Sequence, residues 1–74
     1  MAGPQKELID SGIAAFRQGE VDRAEEIFRE FIKQYPESGL ADNACYNLAK
    51  IALSKGNQKK ALSWYEYLLE NYPD

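Results

Sequence analysis

A shift of 37 residues lays the second half of this chain on the first, and that repetition constrains the fold more than any single motif. Ala15 falls on Ala52, Gly19 on Gly56, Ala24 on Ala61, Tyr35 on Tyr72 and Pro36 on Pro73. Near-equivalents join them: Gly12 with Ala49, Phe28 with Tyr65, Phe31 with Leu68, and Ile32 with Leu69. The matched residues have steric roles. Small side chains suit close helix crossings, aromatics fill a hairpin, and Gly and Pro mark turns. Each copy is therefore one supersecondary unit whose apolar face needs a neighbour to cover it.

The periodicity inside each copy is helical. Leu8, Ile9, Ile13 and Phe16 form one apolar stripe, and Val21, Ala24, Ile27, Phe28, Phe31, Ile32 and Tyr35 form the next. Both follow the i, i+3, i+4, i+7 spacing of a helix face. Gly19 separates the two runs, and Tyr35-Pro36 stops the second, because proline disfavours helix in the residue before it. Leu40 to Ser54, the turn Lys55-Gly56-Asn57, Gln58 to Asn71 and the stop Tyr72-Pro73 repeat the scheme. No alternating strand pattern competes. The expectation is an all-α fold of four antiparallel helices in two stacked helix-turn-helix hairpins, at about 5–18, 20–35, 39–55 and 57–72. They make a single domain over 1–74, with repeats at about 5–37 and 42–74.

Composition excludes several classes of function. A chain of 74 residues supports one small, marginal core. With no histidine and only Cys45, it can form neither an internal disulfide nor a Cys/His zinc site, and it lacks the commonest general base near neutral pH. A non-enzyme without cofactor or metal is expected. The net charge of −3 is uneven: residues 1–37 carry five basic and eight acidic side chains, residues 38–74 four of each. No basic stripe tracks a phosphate backbone, so no nucleic-acid partner is expected. No apolar run approaches the roughly 18 residues of a spanning helix, so no membrane insertion is expected either. No apolar stretch of the signal-peptide kind follows Lys6. As it stands the chain reads as cytoplasmic, or as periplasmic if it is part of a longer secreted protein. Cys45 falls on a buried helix position and reads as a small hydrophobe. Glu20, Asp22, Glu25 and Glu26 open the second helix, where negative charge complements the helix dipole.

At the level of these residues the chain resembles the tetratricopeptide-repeat family. That family's helix-turn-helix unit of about 34 residues carries small residues at its eighth and twentieth positions, an aromatic at its twenty-fourth and proline at its thirty-second. Gly12, Ala24, Phe28 and Pro36 fill these positions in the first repeat, and Ala49, Ala61, Tyr65 and Pro73 in the second. The departures are Leu8 and Cys45 where a large aromatic is usual, Ala15 and Ala52 where tyrosine is usual, and three extra residues after Pro36. The run Phe31-Ile32-Lys33-Gln34-Tyr35-Pro36-Glu37-Ser38, followed by Ala41, Ala44, Tyr46, Leu48 and Ala49, is similar to a bacterial subset. That subset comprises the repeats of a periplasmic coordinator linked to the Tol–Pal system and of outer-membrane assembly lipoproteins.

The resemblance implies a right-handed superhelical segment whose first and third helices line a concave groove for a protein or peptide partner. Carried over, the groove positions are Lys6, Ile9, Ile13, Phe16 and Arg17, then Asn43, Tyr46, Lys50, Leu53 and Ser54. Ile9, Ile13 and Phe16 equally fit a core. The Lys and Asn carboxylate clamp of the chaperone-binding members is absent, since Ile9 and Ile13 stand at the corresponding first-repeat positions. The last helix carries apolar residues around most of its circumference, where a terminal helix facing water should be polar. Leu62, Trp64, Tyr67 and Leu68 are therefore expected to form a self-association or next-repeat surface. Two readings stay open: an interaction module for a separate partner, and a structural module that associates with itself.

Overall fold

The computed structural model describes residues 3–73. Helices α1 (Gly3–Arg17), α2 (Val21–Gln34), α3 (Ala41–Ser54) and α4 (Gln58–Asn71) follow one another antiparallel, and no strand occurs among the described residues. The fold is all-α, as the periodicity requires. The two hairpin turns share one hydrogen-bond scheme. Gly19 (φ 82°) and Gly56 (φ 76°) take the left-handed conformation that a side chain disfavours. The next residue then donates back across the turn, Glu20 N–H to the Ala15 carbonyl at 2.9 Å and Asn57 N–H to the Ala52 carbonyl at 2.8 Å. Both helix ends thus satisfy carbonyls that would otherwise lack donors. Asn57 also caps α4, its side chain accepting from the Lys60 amide at 3.1 Å.

The boundaries differ from expectation at two places. α1 begins at Gly3, because Pro4 tolerates the first turn of a helix. α3 begins only at Ala41, because Ser38 turns the chain first. Its hydroxyl accepts from the Leu40 amide at 3.0 Å and donates to the Gln5 side chain at 2.7 Å, pinning the connection to α1.

The core lies where α3 is enclosed by α1 and α2 on one side and α4 on the other. Phe28, Phe31, Leu48, Ile51 and Cys45 are its largest fully buried side chains. Ala41, Ala44 and Ala49 on α3 and Ala24 on α2 are fully buried as well, and let neighbouring backbones approach. α4 buries only Ala61 completely, so one side of the second hairpin stays open. Cys45 packs as a small hydrophobe. Burial first and Asp42 second push its thiol up to about 11, and its Sγ donates to the Trp64 carbonyl at 3.3 Å.

α1 crosses α2 tightly at Gly12. A Cβ on Gly12 would stand 2.6 Å from Cζ of the fully buried Phe28 ring, which has nowhere to move. Gly12→Ala is expected to destabilise the fold by about 1–2 kcal/mol, the overpacking outweighing a gain of about 1 kcal/mol in helix propensity. Thermal unfolding checks this, and adding Phe28→Leu should recover part of the loss.

The acidic run at the start of α2 does more than complement a dipole. Asp22 occupies the first turn as expected, but Glu25 accepts from Lys55 and from Lys60 at 2.8 Å each, joining α2 to the second hairpin. Lys55 also bonds Asp22. Hydrogen bonds from Lys55, then from Lys60, hold the Glu25 carboxyl down at about 2 against an ordinary 4.5. Because this pKa is depressed in the folded state, the stabilisation is complete above pH 4.5 and is lost as pH falls toward 2. Lys55 and Lys60 are 37% and 41% exposed, so water screens the pairs and the net contribution is about 1 kcal/mol. Glu25→Gln should lower stability by that amount at neutral pH, and urea midpoints of the two proteins should converge near pH 2.

Candidate protein-interaction groove

α1 and α3 run in the same sense, being separated by one antiparallel helix, and a groove of about 800 Å³ lies between them. Its floor is apolar, built from Ile13 and Phe16 of α1, Tyr46 of α3 and Leu68 of α4. Because the two helices are parallel, charge is divided along it. Arg17, at the end of α1, and Lys50, late in α3, mark one end, and Asp42, in the first turn of α3, marks the other. Lys50 Nζ lies 5.6 Å from the Tyr46 ring centroid and 6.0 Å from that of Phe16, within reach of cation–π attraction. Neither Arg17 nor Lys50 forms an ion pair among the described residues.

Two amides line the wall between these ends. The Asn47 side-chain NH₂ donates to the Asn43 carbonyl at 2.9 Å and to the Asn43 side-chain oxygen at 2.6 Å. This orients the pair so that the Asn43 NH₂ and the Asn47 side-chain oxygen are the groups left for a ligand. Such a wall suits the backbone of an extended segment, which offers donors and acceptors in alternation.

The structure brings Ile13, Phe16, Arg17, Asn43, Tyr46 and Lys50 together here. The other four expected positions lie elsewhere. Ile9 is in the core at 4% exposure, and Lys6 pairs with Asp10 at 2.8 Å one turn on along the exposed surface of α1. Leu53 is exposed near the end of α3, where the Ser54 hydroxyl turns back to donate to the Ile51 carbonyl at 2.8 Å. Sequence reasoning missed Asp42, Asn47 and Leu68. The helical spacing Asp42–Tyr46–Lys50 and Asn43–Asn47 signals the first two, whereas Leu68 comes from a different helix.

The four α4 residues expected to form a self-association or next-repeat surface, Leu62, Trp64, Tyr67 and Leu68, have three different surroundings. Trp64 and Tyr67 are half-buried, their rings in edge contact at 5.8 Å, and Trp64 borders a shallow cavity with Arg29 and Lys33 of α2. Leu68 turns to the groove. Leu62 is exposed, as is Leu69 three residues short of the Tyr72 cap.

Two comparisons bear on this arrangement. The chain is 36% identical over 56 residues to the cell division coordinator CpoB of Pseudomonas putida, in the KT2440 strain sequence and in a second sequence from that species. The match covers 73% of this chain and 21% of the relative, so the chain spans about a fifth of the length of the proteins it matches. No solved structure matches the chain significantly. The family model for the tetratricopeptide repeat matches residues 9–74, across both hairpins, both left-handed turns and the groove: the chain belongs to the tetratricopeptide-repeat family, whose members generally mediate protein–protein contacts.

Proposed function

We infer that the chain is a non-catalytic interaction module that holds a segment of a partner protein between α1 and α3. The observation that carries this reading is the pair of cations, Arg17 and Lys50, set beside an apolar floor without carboxylate partners among the described residues. Cations left unpaired at one end of an apolar groove favour a segment that places acidic side chains there and apolar side chains along Ile13, Phe16 and Tyr46. Asn43 and Asn47 then meet its backbone. Asp42 repels a second acidic group at the opposite end, which gives the segment a preferred direction. The similarity to a cell division coordinator supports a scaffolding role, in which a rigid helical surface gathers other proteins and performs no chemistry. A second reading, self-association through α4, is favoured by the exposure of Leu62 at 59% and Leu69 at 70%.

Selection of random displayed peptides on the immobilised chain tests the groove. Binders should combine acidic residues with Leu, Ile or Phe. Arg17→Glu with Lys50→Glu should weaken them at least about tenfold, near 1.4 kcal/mol, while the helical circular-dichroism signal is kept. Added salt should weaken binding in the same direction. Peptides without acidic residues, or binding indifferent to the charge reversal, would overturn the assignment.

A further inference from the structure

We propose that the cleft between α2 and α4, lined by Arg29, Lys60, Ser63, Trp64 and Tyr67, binds a single-ring aromatic acid, a flat ring that carries a carboxylate or a phosphate. The cleft has a volume of about 340 Å³ and shares no residue with the groove between α1 and α3. That volume lies near the lower bound of small-molecule sites, so it suits one ring with one acid group.

The repeat shows that this cleft departs from an ordinary solvated helix face. Glu26 and Glu30 stand on the exposed surface of α2, and a shift of 37 residues lays them on Ser63 and Tyr67. Ile27, next to Glu26, falls on Trp64. At neighbouring positions α4 therefore carries a hydroxyl and a phenol in place of two carboxylates, and an indole in place of an aliphatic chain. No carboxylate lines the resulting cleft. Glu26 and Glu30 border a second cavity, of about 420 Å³, together with Arg29, Lys33 and Trp64. An anion in the first cleft thus meets Arg29 and Lys60, while those two carboxylates border the other cavity.

Both cations are available to it. Glu25 stands one turn before Arg29, but one of its carboxylate oxygens accepts from Lys55 and the other from Lys60, at 2.8 Å each. Arg29 is exposed and forms no ion pair among the described residues. Its planar fork matches the oxygens of a carboxylate or a phosphate. The bond to Glu25 ties the Lys60 ammonium to α2 and uses one of its three donors. The indole supplies the apolar surface. Trp64 packs against the core, and its ring meets the edge of Tyr67 at 5.8 Å. The cation–π contacts among the described residues are made by Lys50, so Trp64 holds no cation of the chain itself. A ligand ring can pack on the indole while its acid group reaches the two cations.

Trp64 is the only tryptophan, so its fluorescence reports directly on the cleft. Phenylacetate and phenyl phosphate are the probes, titrated to about 10 mM at constant ionic strength. At least one should change the emission with a midpoint at or below about 1 mM, and the tighter of the two names the acid group. Acetate, inorganic phosphate, benzyl alcohol and benzylamine should each require at least tenfold more. Arg29→Gln should weaken the response to the aromatic acid at least tenfold and keep the helical circular-dichroism signal, since that side chain is exposed and unpaired. Arg17→Glu with Lys50→Glu should leave the response unchanged, which separates this site from the groove. The proposal is overturned by silence of both aromatic acids, by equal binding of the acids that lack a ring or the rings that lack an acid, by indifference to Arg29→Gln, or by loss of the response in the groove variant.

Discussion

Everything in this molecule turns on the enclosure of α3. A helix packed on both sides has no room for a large side chain at every contact, and the stripe Ala41, Ala44, Cys45 and Ala49 meets that limit with complete burial. Leu48 and Ile51 supply the bulk where the space between α1 and α2 allows it. Because this stripe tolerates few rotations of the helix, it also decides what the remaining side presents. Asn43, Tyr46, Asn47 and Lys50 face the groove for no reason beyond their angle from the small-residue stripe. Packing of the core and the lining of the groove are therefore two consequences of one helix register.

The two hairpins are tied together at both ends of this buried helix. At one end Glu25 gathers Lys55 and Lys60; at the other the Tyr72 hydroxyl donates to the Pro36 carbonyl. Neither tie is large alone, since both are near water. Their placement matters more than their strength. Placed at opposite ends of α3, they hold the second hairpin to the first at two separate points.

Much of the fold is legible in the sequence because it is local. The left-handed turns at Gly19 and Gly56, the caps and the Tyr-Pro stops depend on residues within one or two helical turns of each other. The repeat register adds the pairing of the hairpins. What the sequence does not show is burial that depends on a neighbour. Ile9 and Tyr46 occupy equivalent positions, yet one is 4% and the other 49% exposed, because α3 covers the first hairpin and no helix among the described residues covers the second. Of the two readings that the sequence leaves open for Ile9, groove or core, its burial fits the core. Glu25 sits in an acidic run that suits a helix start, and its two lysines are 30 and 35 residues away. Trp64 stands out in sequence but turns toward α2, while the less conspicuous Tyr65 and Leu69 stay on the open side.

Tyr46 links the two surfaces that the second hairpin offers. One side of its ring approaches Tyr65 on α4, and the Lys50 ammonium lies within cation–π distance of it at the groove. A side chain that belongs to both surfaces cannot be ordered at one without restricting its rotamers at the other. Whatever packs against Tyr65 and Leu69 therefore also fixes the wall against which Lys50 rests. The position equivalent to Tyr46 in the first hairpin is Ile9, sealed in the core and touching neither surface. The repeat has thus used one structural position twice: once to close the fold, and once, with an aromatic ring in place of a branched aliphatic chain, to line the groove.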